Sequence, residues 1–85
     1  MNYVVVWGPL AVNMLAEIWL NASDRRAVTE ATAILEKQLG YEPLRLGESR
    51  ESSVHSWVFL PPVGIDFEVI EDDKRVIVQT VFATK

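Results

Sequence analysis

The chain has 85 residues, a formal net charge of −4 and no cysteine. That length leaves room for one core, so 1–85 is expected to be a single domain. The missing cysteine removes any disulfide framework or thiolate metal site. A hydrophobic share of 49% with three Trp argues for a packed core. The acidic balance counts against long-range attraction to nucleic acid, although Arg25, Arg26, Arg45, Arg50, Lys74, Arg75 and Lys85 could still form a local patch.

No basic segment followed by a long apolar run opens the sequence, so no secretory leader is expected. No run approaches the roughly 18–20 apolar residues of a membrane span, and a cytoplasmic protein with no membrane contact is expected. Asn21-Ala22-Ser23 fits a glycosylation pattern formally, but reads as a turn at a helix boundary.

Tyr3 to Trp7 is β-branched and aromatic, as a buried strand should be. Gly8-Pro9 stops it, and Pro9 suits the first turn of a helix. From Leu10 to Asn21 the polar residues Asn13, Glu17 and Asn21 form one narrow stripe, and the remainder is apolar. This predicts a helix buried around most of its circumference, or one with a face turned to a partner. Trp19 and Leu20 lie on different sides of it.

Ser23 or Asp24 can cap a second helix. Its apolar stripe is Ala27, Val28, Ala31, Ile34, Leu35 and Leu39, and Gly40 is the expected stop. The short turn between the helices predicts an antiparallel hairpin. Tyr41 to Ser53 reads as an irregular connector. Three strands follow: Val54–Leu60, Ile65–Val69 and Val76–Phe82, separated by Pro61–Gly64 and Glu71–Lys74. In the last of them Val76, Val78, Thr80 and Phe82 are expected on one face, with Ile77, Gln79 and Val81 on the other. The predicted fold is α+β, β-α-α-β-β-β, with the helix hairpin packed on a mostly antiparallel four-stranded sheet.

This order resembles the RelE/ParE toxin superfamily of bacterial type II toxin–antitoxin systems. The resemblance is carried by Tyr3–Ala11, Leu15–Trp19, Pro43–Arg50, Pro61–Val69, Asp72-Asp73 and Val76–Val78. It implies a toxin of a plasmid or chromosomal module that inhibits growth through translation or DNA gyrase. It also implies a cognate antitoxin protein that wraps the toxin. The alternative keeps the fold as a diverged, non-toxic protein-binding domain. A small α+β enzyme or homodimer unrelated to toxins, joined through Trp19 and Trp57, is a third reading.

The ribonuclease branch generally uses Lys/Arg with Tyr, His or Glu near the last strand. Here the tyrosines are Tyr3 and Tyr41, and the tail offers only Lys85, so ribonuclease activity is not expected on these residues. Arg50 matches the family Arg after Gly-Glu and could grip a phosphate or carboxylate, or pair with Glu48 or Glu51. His55 could carry a proton near neutral pH, or be an ordinary strand residue. These two are the catalytic candidates. Met14, Trp19, Leu20, Arg45, Arg50 and Lys85 are the candidates for antitoxin or target binding. Asp66 and Glu68 share one face and read as a solvated sheet surface. No metal or cofactor is expected.

Overall fold

The computed structural model describes residues 2–43, 48–49 and 55–84. Strand β1 (Val4–Trp7) leads into helices α1 (Pro9–Asn21) and α2 (Arg25–Tyr41), followed by β2 (Glu48–Ser49), β3 (His55–Leu60), β4 (Val63–Ile70) and β5 (Arg75–Ala83). The strands form one sheet in the order β1-β5-β4-β3-β2. The expected fold is present, with the two-residue β2 added at one edge. β3, β4 and β5 run antiparallel, while β1 lies parallel to β5.

Local chemistry explains how the helices start and turn. Gly8 donates its amide to the Val78 carbonyl at 3.0 Å. A Cβ added at Gly8 would stand only 3.2 Å from that oxygen, so the chain leaves β1 hard against β5. Pro9 then takes the first helical position, where its missing N–H costs nothing. Asp24 caps α2, its Oδ1 accepting the Ala27 amide at 3.1 Å. Arg25 reaches back to close α1: Nε and Nη2 donate to the Trp19 and Leu20 carbonyls, each at 3.1 Å. Its guanidinium also lies 4.8 Å from the centre of the Trp19 ring. One cation thereby serves the orphan carbonyls of α1 and fixes the hairpin turn.

The core lies between the helices and one sheet face. It holds Ala11 from α1, Val28, Ala31, Leu35 and Leu39 from α2, Val63, Ile65, Phe67 and Val69 from β4, and Val76, Val78 and Val81 from β5. Three expectations need correction. First, α1 is not buried around most of its circumference: Ala11 is its one buried residue, and Leu10, Val12, Trp19 and Leu20 are exposed. It packs on β5 and α2 along one side only. Second, Ile34 is exposed, and α2 runs through Gly40 to Tyr41. Gly40 instead offers its carbonyl to the Tyr3 amide at 2.7 Å, tying the end of α2 to the start of β1.

Third, the alternation of β5 breaks. Phe67 pairs with Val78 but Asp66 pairs with Thr80, so Gln79 is an extra residue on β5. This bulge resets the faces. Val78 and Val81 both point into the core, and Thr80 and Phe82 fall on the outer face instead of beside Val78. The Gln79 Nε2 donates to Glu68 Oε1 at 3.1 Å across the ladder.

At the far end of β5 a charged cluster closes the β4–β5 turn. The buried Tyr3 hydroxyl donates toward Glu71, 2.9 Å from Oε2, and Lys74 Nζ donates to Glu71 Oε1 at 2.6 Å. Lys74, with φ of 50°, also places its ammonium 5.3 Å from the centre of the Tyr3 ring. Hydrogen bonds from Lys74 and then Tyr3 hold the Glu71 carboxyl below its ordinary 4.5. Burial first, then the Glu71 hydrogen bond, raises Tyr3 above 10.0, and the Glu71 hydrogen bond raises Lys74 above 10.5.

The signs give two edges of stability. A lowered carboxylate stabilises the fold above its unfolded value and loses that contribution as pH falls through its folded value. The raised Tyr3 and Lys74 contribute below their unfolded values and lose this as pH rises through their folded ones. Thermal melts should therefore show Glu71→Gln closing part of the gap between neutral pH and pH below 4.5. An unchanged acid-side slope would contradict the cluster's role.

Candidate functional site

A groove of ≈ 820 Å³ opens where the helix-hairpin turn faces the β3–β4 turn and the end of β5. Its walls are Met14 and Ile18 of α1, Ala27 and Val28 of α2, Pro61 and Pro62 of the turn, and Val81, Phe82 and Ala83 of β5. Among the described residues the charged side chains on it are Glu17 and Asp24. A second depression of ≈ 470 Å³ runs between the helices on the side away from the sheet, lined by Leu15, Ala16, Trp19, Leu20, Val28, Thr29 and Thr32. The Trp19 Nε1–H donates to Thr29 Oγ1 at 3.2 Å, which holds the indole across this depression.

The outer face of the sheet carries a third feature. Trp57 and Phe59 meet edge-to-face with centroids 4.5 Å apart, and Phe59 meets Phe82 at 5.6 Å. These rings lie over Gly64, whose pairing partners are Phe59 and Phe82. A Cβ at Gly64 would sit 2.7 Å from Phe82 Cζ and 2.9 Å from Phe59 Cδ1, so glycine makes room for the aromatic cluster. Asp66 and Glu68 share that outer face and are half-buried.

The sequence candidates separate. Met14 is partly buried against the core and lines the first groove. Trp19 and Leu20, 40% and 59% exposed, both line the second depression, so they share one surface although they project from different sides of α1. His55 opens β3 opposite Glu68 in the ladder. Arg45, Arg50 and Lys85 lie outside the described residues, as does most of the connector that carries the first two. Sequence reasoning missed Glu17, Phe82 and Ala83. Phe82 in particular could not be found by alternation, because the bulge moves it to the outer face.

Among the described residues no group of three His, Cys, Asp or Glu side chains is placed to hold a metal ion. Among the same residues no helix is long and apolar enough to cross a membrane. Among the described residues the two depressions and the aromatic cluster form the apolar relief of the surface.

The architecture is thus an α+β fold in which a helix hairpin covers one face of a mostly antiparallel sheet closed by a parallel first strand. No protein-family profile matches the sequence, and no curated protein matches it. Solved structures do match. A chain of the Mycobacterium tuberculosis toxin–antitoxin complex RelBE2 superposes with a TM-score of 0.78 at 18% identity, covering 98% of this chain and 99% of that one. A chain of the chromosomal ParDE system of Pseudomonas aeruginosa gives 0.71 at 14% identity, covering 98% and 97%. The isolated Escherichia coli RelE toxin gives 0.70 at 14%, covering 98% and 85%. The chain has the RelE/ParE-like toxin fold.

Proposed function

We propose that this chain is the toxin component of a type II toxin–antitoxin module, inhibiting growth through translation or DNA gyrase and neutralised by a cognate antitoxin. The observation that carries this reading is the correspondence along nearly the whole chain to structures of toxins and toxin–antitoxin complexes. It is supported by exposed apolar side chains on α1, namely Leu10, Val12, Trp19 and Leu20, which a partner would cover. Arg50, and with it Arg45 and Lys85, is assigned to gripping target or antitoxin.

A second reading, a binding domain without toxicity, is favoured by the outer sheet face. Asp66 and Glu68 stand there, and both tyrosines lie elsewhere: Tyr3 is buried beside Glu71 and Tyr41 ends α2. Inducible expression in a bacterial host decides between the two. Growth arrest relieved by co-expressing the product of the adjacent small reading frame, and weakened by Arg50→Ala, is the expected result. Unaffected growth together with stable capture of that product would replace the toxin reading with the binding one.

A further inference from the structure

Helix α1 has two apolar sides. One packs on the core through Ala11, Met14, Leu15 and Ile18. The other carries Val12, Ala16, Trp19 and Leu20, all exposed, at the three- and four-residue spacings that bring side chains onto one face. The ≈ 470 Å³ depression lies on this second side, between α1 and Val28, Thr29 and Thr32 of α2, and among the described residues no charged side chain lines it. One end of it is rigid. Trp19 is held there by Thr29 and by the guanidinium of Arg25, which is itself bonded to two carbonyls. Val12 stands outside the depression, one turn before Ala16, as an exposed apolar knob.

Knob and hollow lie on opposite sides of Ala16. Val12 is about 6 Å before it along the helix and Leu20 about 6 Å after it. That spacing is self-complementary. A twofold axis beside Ala16, which sets α1 antiparallel to its own copy, brings each Val12 over the Trp19 and Leu20 of the other. Ala16 falls at the crossing point, where its small side chain lets the two helices approach closely.

We propose that this side of α1 binds a second copy of the chain, in an antiparallel α1–α1 contact centred on Ala16, with Val12 of each copy seated in the depression of the other. A neutral hollow accepts a neutral knob without stripping water from an ion, and the same helix offers that knob at the matching distance. The one charge on α1 is Glu17, which lies toward the other flank, where it lines the first groove. The two copies of Glu17 come near each other beside the crossing and weaken the contact without blocking it. A contact through one helix of 13 residues buries less than the roughly 800 Å² per partner of a stable dimer, so association is weak and reversible. It owes nothing to the toxin–antitoxin reading, and either can fail without the other.

Sedimentation of the full chain from micromolar to millimolar concentration is expected to show monomer passing to dimer. Ala16→Glu sets two like charges at the crossing point, on an exposed helical position, and should keep the chain monomeric with an unchanged circular-dichroism spectrum. Val12→Ala trims both knobs at once and should raise the dissociation constant about tenfold. Glu17→Gln should lower it about threefold. Gln38→Glu, the same charge change as Ala16→Glu but near the far end of α2, should leave it within about twofold. Cross-linking reads the register, because the chain has no cysteine of its own. Under mild oxidation Ala16→Cys should join to its own copy, and a mixture of Val12→Cys and Leu20→Cys should cross-link faster than either variant alone.

A wild type that stays monomeric at every concentration overturns the proposal. So does a dimer that Ala16→Glu and Val12→Ala both leave intact, since another face then joins the copies. Faster cross-linking of Val12→Cys to itself than to Leu20→Cys also overturns it, since α1 then pairs in parallel.

Discussion

Phe67→Ala is expected to lower the stability of the protein by about 3–5 kcal/mol. Phe67 is fully buried at the middle of β4, between Ser56 of β3 and Val78 of β5, with its ring among the core side chains of both helices. Removing a buried ring loses the transfer energy of its atoms and leaves a cavity that the neighbours only partly fill, at a cost of about 3–5 kcal/mol. A chain of this size commonly has only about 4–13 kcal/mol of stability in total. Phe67 also adjoins the bulge, where β5 carries one residue more than β4. Urea denaturation of wild type, Phe67→Leu and Phe67→Ala measures this. Phe67→Leu should lose less than about 2 kcal/mol, since it keeps most of the volume. Equal midpoints for wild type and Phe67→Ala would show that the core is centred elsewhere.

Ala11→Leu is expected to cost about 3 kcal/mol and to leave a specific mark. Ala11 has no exposed surface and sits in the first turn of α1, where the helix has just left β1. The Gly8 amide is bonded to Val78, so the first turn of α1 cannot retreat from β5 without breaking that bond. Three added carbons must then either strain the core or lift the helix, and overpacking of this kind costs about 1–3 kcal/mol. The lost Gly8 hydrogen bond adds about 1 kcal/mol. Hydrogen exchange at the Gly8 amide separates this from general destabilisation. That amide should exchange faster in Ala11→Leu relative to amides of β3 and β4. A uniform loss of protection would mean that α1 stays seated and the strain is spread.

Elements with clean periodicity were legible from the residues. The order of elements, the Asp24 cap, the α2 stripe of Val28, Ala31, Leu35 and Leu39, and the inward set Ile65, Phe67 and Val69 follow from spacing and side-chain chemistry, and the structure has them. What failed has one physical character: a local pattern overruled by a distant partner. Val76 to Phe82 alternates without a visible break, because Gln79 resembles any outward strand residue. Only the pairing of Asp66 with Thr80 reveals that it is supernumerary. Gly40 has the chemistry of a helix stop, but α2 continues past it to Tyr41 and its carbonyl accepts the Tyr3 amide. Likewise the composition of α1 predicts burial all round, yet neither α2 nor the sheet covers Leu10, Val12 or Leu20. The candidate site was half legible. Met14, Trp19 and Leu20 stand out in the sequence as apolar residues of α1, whereas no local spacing places Glu17 beside the end of β5.

The parallel pairing of β1 with β5 bears on how the chain comes to life on the ribosome. Val4–Trp7 leave the exit tunnel well before their ladder partners Arg75–Val78 are made. Until those residues clear the tunnel, the first strand has nothing to pair with and the first helix has no floor to rest on. The nascent chain can form its second helix and the β3–β4 hairpin, yet the body of the molecule closes in one late step across most of its length. The helix-covered sheet is thereby assembled only once β5, which joins β1 to the other strands, has cleared the tunnel.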